Sequence, residues 1–445
     1  MLLTTPDVIR TLQRKLYTKA KQEPAYRFYA LYDKVWRADI LVFAYRLARA
    51  NKGSPGVDGM SFEDIEQTIG IDAFLLELAQ DLKGKTYQPS PVRRVMIPKA
   101  DGSERPLGIP TIRDRVAQMA VKLIIEPIFE ADFCPNSYGF RPKKSAHDAV
   151  DEIADSLRLG YTQVIDADLS KYFDSIPHAK LLAVIAERIA DGAILHIIKL
   201  WLKAPVTGED KDGTRKNVGG GKANSKGTPQ GGVISPLLSN CYLHLLDRIW
   251  ERRRLQWVLK ARIVRYADDF VVLCANGVET PMAAVRQVLN RLDLTLNETK
   301  TRVVDAKQES FNFLGFAIGV SKSLKDGRRY SRVCPALKSL AKIKDRITQL
   351  TVRDRTAVPL ENVVGKLNAT LRGWVNYFHY RNSTEVLKKV KTHVEERMRI
   401  HLMERHKIKS RFVGFERFSR QVLYTKYGLY KVPTTLFRGE VHALV

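Results

Sequence analysis

"RIVRYADDFVVLCA", residues 262–275, sets two consecutive aspartates, Asp268 and Asp269, between two apolar runs. Side chains on a strand alternate faces, so neighbouring carboxylates on a straight strand would point apart. Burying one ionised carboxylate is costly, and burying two without a counter-charge is worse. A tight hairpin turn at the pair resolves the conflict, because Asp tolerates turn geometry while "IVRY" and "FVVLC" become the buried strands. Both carboxylates then reach a common point at the sheet's edge. A divalent cation held by oxygens, Mg²⁺ above all, would offset their repulsion there. An exposed Asp-Asp turn with no ligand is the plain alternative.

A second acidic strand favours the metal. "YTQVIDADLSKYFDSI" (161–176) is another apolar run that ends in acid. Asp166 and Asp168 are two apart and share a face, and Asp174 follows an aromatic pair. An acid from this strand beside the Asp268–Asp269 turn makes a three-carboxylate cluster able to hold two Mg²⁺ ions. One ion would activate an attacking hydroxyl and the other would steady a leaving group, the equipment for phosphoryl transfer to a 3′-hydroxyl.

Composition bounds the partners. The chain has 445 residues, long for one core, so two or three domains are expected. Lys plus Arg number 74 against 48 Asp plus Glu, a net charge of +26, which points to a polyanion such as nucleic acid. No run approaches a membrane span, and "MLLTTPDVIRTLQRKLYTKAKQ" reads as a charged helix and not as a secretion signal. The four cysteines, Cys134, Cys241, Cys274 and Cys334, are scattered with no C-x-x-C pair. That spacing argues against structural zinc and a disulfide framework, and fits a reducing bacterial cytoplasm.

The pattern divides the chain into an N-terminal helical extension (1–50), a mixed α+β region (51–330), a helical basic region (331–400) and a short basic tail (401–445). "NKGSPGVDG" (51–59) is a loop, and "VRRVMIPK" (92–99) with "ADGSERPLGIP" (100–110) reads as a strand and hairpin turn. "IRDRVAQMAVKLIIEPIFEADF" (112–133) reads as an amphipathic helix, and "VGGGK" (218–222) as a flexible hairpin tip, since it lacks P-loop spacing. In the helical region, Leu337, Leu340, Ile343, Ile347 and Leu350 recur at helical spacing, as do Val363, Leu367, Leu371, Trp374 and Phe378. These are expected core stripes.

"YADD" on a hairpin, "DADLSKYFD" on its partner strand and "KGTPQGGVISPLLSN" (226–240) between them resemble the palm of reverse transcriptases. "RPLGIPTIRDRVAQ", "SYGFRPKKSAHDAV", "FNFLGF" and "LRGWVNYF", in that order, are similar to one subgroup: group II intron-encoded reverse transcriptases with a maturase domain. The resemblance runs from about residue 45 to about residue 400. It implies a right-hand polymerase, with fingers and an antiparallel palm sheet followed by an all-helical thumb/maturase domain.

It also implies residue roles. Asp168, standing five residues before Phe173, would be the metal-binding acid, with Asp268 and Asp269 as its partners and Asp166 behind them. Phe173 would crowd a 2′-hydroxyl, and Gln230 would lie against the incoming nucleotide. Lys99 and Arg105 would contact its phosphates, as would Lys300 in "LNETKT", a candidate general acid towards pyrophosphate. Arg113 and Arg115 would serve template or structural roles. Arg372 and Arg381 would touch RNA, with Trp374 and Phe378 in the core.

The implied partners are the intron RNA, an RNA template with a DNA primer, deoxynucleoside triphosphates and target DNA, with no membrane and with self-association left open. The tail resembles members that stop without an H-N-H nuclease, whose paired C-x-x-C motifs are missing. Two rivals remain at this point: a free-standing reverse transcriptase used in defence or repair, and a splicing cofactor whose polymerase site has decayed.

Overall fold

The computed structural model describes residues 3–98, 102, 104–209, 215–228 and 230–435. Its eleven strands are β1 Val92–Pro98, β2 Glu104–Ile109, β3 Gln163–Ala167, β4 Val206–Glu209, β5 Arg215–Gly219, β6 Ala261–Tyr266, β7 Asp269–Cys274, β8 Arg302–Asp305, β9 Phe311–Phe313, β10 Phe316–Lys322 and β11 Arg329–Pro335. They form three sheets, with strand orders β2-β1-β4-β5, β6-β7-β3-β8 and β11-β10-β9.

The β6-β7-β3-β8 sheet positions everything else. It is antiparallel throughout, and the apolar run of β7, Phe270 to Cys274, is buried at every position. Alternation sends its side chains into two different cores. Phe270, Val272 and Cys274 join Ile165, Ala167 and Ile263 on one face, with the helices Ile112–Glu130 and Ser235–Arg252. Val271 and Leu273 join Val164, Val264 and Val304 on the other face, with the helix Ala146–Arg158 and β9–β11. A strand buried on both sides needs apolar residues at consecutive positions, which is why "FVVLC" does not alternate.

The small β9-β10-β11 sheet carries the chain out of the palm. The "FLGF" turn between β9 and β10 holds Gly315 at φ +82, and a Cβ there would lie 3.2 Å from the Phe378 ring. The glycine of "FLGF" and the aromatic end of "GWVNYF" therefore pack together. Tyr377 donates to the Leu314 carbonyl at 2.9 Å, and His147 Nε2 lies 2.8 Å from the Tyr377 carbonyl. Beyond Pro335 every regular element of the described residues is helical, chiefly Leu337–Leu350, Leu360–Phe378 and Thr384–Arg405, packed about a third core.

Several expectations need correction. The helix Ile112–Glu130 is buried nearly all round, because other helices and the fingers cover the face expected to be polar. Of the first helical stripe, Leu340, Ile343, Ile347 and Leu350 are buried, whereas Leu337 is 81 % exposed. Leu337 opens its helix immediately after Ala336, where the chain leaves β11, and its side chain stands in solvent while Ser339 of the same turn bonds the Gly315 carbonyl. "VGGGK" is not a hairpin tip: it closes β5, and Gly220 sits at φ +73 against the Ala204 carbonyl while Gly221 N–H donates to the Lys203 carbonyl.

One close approach fixes the "SYGF" segment against the "YADD" turn. A Cβ on Gly139 would stand 2.3 Å from the Ala267 nitrogen. Gly139→Ala is thus expected to cost about 1–3 kcal/mol of stability through forced backbone movement. In Gly365→Ala the added methyl meets nothing within 4 Å inside a helix, and the change should stabilise by about 0.5–1 kcal/mol. Denaturant unfolding of the two variants beside the parent checks both signs.

Candidate active site

The β6–β7 register ends at Tyr266↔Asp269, which leaves Ala267 and Asp268 as a two-residue turn. Ala267 takes φ +58, and the sharp reversal lifts both aspartates to the sheet's end. The β3–β7 register ends at Ala167↔Phe270, so its next step sets Asp168 opposite Asp269. On the other side the β3–β8 register ends at Asp166↔Arg302, and two further steps bring Lys300 opposite Asp168. Lys300 Nζ lies 3.9 Å from Asp168 Oδ2. Asp168 is anchored by its backbone: its carbonyl accepts from Asn297 N–H at 2.8 Å and its N–H approaches Thr301 Oγ1 at 3.4 Å.

These carboxylates crowd one another. Burial raises the pKa of Asp269 to about 6, reinforced by the charges of Asp268, Asp168 and Asp166 and opposed by Arg105. Burial likewise raises Asp166 to about 6, with Arg302 opposing and Asp168 adding to the shift. Asp268 is raised by burial too, while a backbone hydrogen bond and the nearby Arg105 hold it down. Among the described residues, no three His, Cys, Asp or Glu side chains stand close enough together to hold an ion. The acids share one sheet end, but their side chains are not gathered.

The "KGTPQGG" loop joins the fingers to this site. Thr228 N–H donates to the Phe173 carbonyl at 2.7 Å, and Gly227 N–H donates to the Ile176 carbonyl at 2.8 Å. On the fingers side, Gly108 N–H donates to the Gln230 carbonyl at 2.6 Å. Gly231 stands at φ +111 where a Cβ would strike the Gly108 carbonyl at 2.3 Å. The Arg105 Nε–H donates to Gln230 Oε1 at 2.7 Å, so two residues singled out separately in the sequence are direct partners. Phe173 is 7 % exposed and packs in the palm core. Lys99 lies outside the described residues.

Other expected contacts are engaged within the protein. Arg113 pairs with Asp81, and the buried Arg115 donates to the carbonyls of Pro110 and Ser54, so both hold the fingers together. Arg381 pairs with Asp151 on the helix Ala146–Arg158, and its guanidinium lies over the Tyr380 ring. Arg372 is exposed, with its guanidinium 5.5 Å from the Tyr430 ring centroid.

Sequence reading missed a buried group beneath the turn. Arg265 has no exposed surface, and its Nε and NH2 donate to Asp247 at 3.0 and 2.6 Å. Its NH1 donates to Asn240 Oδ1 and to the Ala267 carbonyl, each at 2.9 Å. The signal was present: a charge inside "IVRY", on a strand otherwise buried, demands a partner.

Residues 97–318 match the family described as reverse transcriptase (RNA-dependent DNA polymerase), and residues 340–419 match the group II intron maturase-specific domain. The chain belongs to the group II intron reverse transcriptase/maturase family. "Protein YkfC" of Escherichia coli (strain K12) is 35% identical over 346 residues, covering 69% of this chain and 87% of that protein. "Group II intron-encoded protein LtrA" of Lactococcus lactis subsp. cremoris is 29% identical over 442 residues, covering 79% of this chain and 70% of that protein. A "91 kDa protein in cob intron" of Schizosaccharomyces pombe is 27% identical over 426 residues, covering 78% of this chain and 50% of that protein. The reverse transcriptase match includes all three acidic positions, and the maturase match includes Arg372 and Arg381. No helix of the described residues is long and apolar enough to cross a membrane.

The raised carboxylates fix a pH dependence. Asp166 and Asp269 ionise less readily in the fold than in the unfolded chain, so their stabilisation is full below about pH 4 and is lost as pH rises through about 6. Without added metal, the contribution of these groups to Tm should fall between about pH 4 and pH 6. Asp269→Asn should flatten that slope in a calorimetric series, and an unchanged slope would contradict the assignment.

Proposed function

We propose that the chain copies RNA into DNA by a two-metal reaction at Asp168, Asp268 and Asp269, and that it binds the RNA of its own intron to support splicing and mobility. The observation that carries this reading is the register, which sets Asp168 opposite Asp269 one step past the last strand pair. Directly opposed residues of an antiparallel pair have Cβ atoms roughly 4.5–5.5 Å apart, within reach of shared ligation by side-chain rotation.

The donor set suits Mg²⁺, since it is all oxygen, and a hard dication would favour the ionised acids against the burial, and the lesser mutual repulsion, that raise their pKa values. Two ions held by these acids would lower the pKa of the primer 3′-hydroxyl and take up charge on the departing pyrophosphate. The protein's own groups do the rest. Arg105, oriented by Gln230, offers a fork for a phosphate oxygen at the mouth of the site. Lys300 stands beside Asp168, where its ammonium can reach the β- and γ-phosphates and give a proton to the leaving group. Lys99, which follows Pro98 in the sequence, would add charge for the triphosphate. Phe173, anchored through its carbonyl to Thr228, would set the floor beneath the sugar and disfavour a 2′-hydroxyl.

For the RNA role, Arg372 is exposed on the helix Leu360–Phe378 and available to a phosphate. Arg381 would contribute through the ion pair that fixes the thumb to the palm. Target DNA and a second copy of the chain are further proposed partners. The maturase-specific match at 340–419 favours an intron partner over a free-standing polymerase.

Asp268→Asn is expected to reduce primer extension on an RNA template by at least about 100-fold while leaving binding of intron RNA within about 3-fold. Mg²⁺ titration of Tm at pH 7.5 should give a rise in the parent and little in the variant. Wild-type extension by Asp268→Asn would overturn the catalytic assignment. Sequencing the RNA that co-purifies from the native cell tests the second role, and a diffuse mixture of transcripts would count against it.

A further inference from the structure

Among the described residues Arg265 heads the largest side chains with no exposed surface, and it belongs to none of the groups expected to touch substrate. Its fork is fully engaged. One side grips Asp247, itself buried in the helix Ser235–Arg252. The other side bonds Asn240 on the same helix and the carbonyl of Ala267, the residue immediately before Asp268. Asn240 extends the chain by donating to the Gly139 carbonyl at 2.7 Å. Gly139 is the residue whose missing Cβ makes room for the Ala267 nitrogen. The backbone of Arg265 is tied as well: its N–H donates to the Asn136 carbonyl, and its carbonyl accepts from Tyr138 N–H.

All these bonds converge on one peptide unit. Ala267 holds φ +58, a left-handed conformation that is strained for an L-residue. The Cβ of Ala267 gives it no polar group with which to stabilise that turn by itself. The bond from Arg265 to its carbonyl fixes the turn from below, and the contact with Gly139 fixes it from the side. The orientation of this peptide sets the direction in which Asp268 leaves the sheet.

A buried ion pair is a poor device for stability alone, because apolar residues of similar volume often serve as well or better. It is a good device for holding one backbone carbonyl in one orientation, since Arg fixes several acceptors in a rigid planar fork. We infer that Arg265, locked by Asp247 and Asn240, is a positioning residue for polymerisation, acting through the Ala267 carbonyl to aim the Asp268 and Asp269 carboxylates. The inference rests on those two acids being the catalytic pair.

The test compares the double variant Arg265→Met/Asp247→Leu with Asn240→Leu, Asp268→Asn and the parent chain. Primer extension is followed over Mg²⁺ and deoxynucleotide concentration, with Tm and intron RNA binding as controls for folding. The double variant should keep its Tm and bind RNA as the parent does. Its kcat should fall about 100-fold, the scale set by misplacing a reacting group by about 1 Å. Half-saturating Mg²⁺ should rise at least several-fold while KM for the nucleotide moves little. A folded double variant with parental kcat and Mg²⁺ dependence overturns the inference. Should the double variant not fold, Asn240→Leu decides: it keeps the ion pair with Asp247 and the bond to the Ala267 carbonyl, and removes both Asn240 links, the one to Arg265 and the one to the Gly139 carbonyl. The same Mg²⁺ shift supports the inference, and parental kinetics overturn it. Asp268→Asn separates the two readings, because parental activity there would remove the catalytic assignment itself, whereas an inactive Asp268→Asn beside an active double variant removes only the role of Arg265.

Discussion

The pairing of β7 between β6 and β3 is the constraint from which the rest follows. β7 is buried on both faces, so a one-residue slip would exchange its contributions to two differently shaped cores and carry Asp269 across the sheet. The two-residue turn at 267–268 locks one side of that register, and the anchored end of β3 locks the other. Acidic groups at a strand's end can thus be placed to within a residue by purely apolar packing further down the strand.

Two treatments of buried charge stand side by side. Arg265 and Asp247 are matched: a planar fork faces a carboxylate with hydrogen bonds on every side, and the pair is electrically closed. The acids above it have no such matched partner: Arg105 and Arg265 draw Asp268 down, Arg302 draws Asp166 down, and Lys300 stands 3.9 Å from Asp168. The closed pair gives rigidity, and the open cluster would keep capacity for the proposed cation and triphosphate. Separating the functions lets the frame be inert while the site stays reactive.

The turn, the acidic strands and the helical character beyond residue 335 were legible because each follows from a local pattern: Asp-Asp between apolar runs, acids two apart, and apolar residues at helical spacing. The pairing of Arg105 with Gln230 was not, since 125 residues separate them and only the fingers hairpin folding onto the loop brings them together. The burial of the helix Ile112–Glu130 was hidden because its arginines and acid find partners far away in sequence, such as Arg113 with Asp81, Arg115 with the Ser54 carbonyl, and Asp114 with Tyr87. Arg381 read as a surface cation for the same reason, because its partner Asp151 is 230 residues away. Sequence spacing reports faces of an element, whereas ion pairs between elements depend on topology.

The seam between palm and thumb bears on how this protein could be taken apart. Gly315 receives the Phe378 ring, His147 meets Tyr377 and Tyr380, and Asp151 holds Arg381. The boundary that composition suggests near residue 335 therefore crosses a shared core and is not a joint. A chimaera cut there would separate three interlocking surfaces that must change together. A graft from a relative would have to carry the Ala146–Arg158 helix and β9–β11 with the thumb, or cut beyond Asn382, whose N–H and side chain still bond to Val333 of β11. The coding unit for exchange among such proteins is thus discontinuous in the gene, although the domains follow one another in sequence.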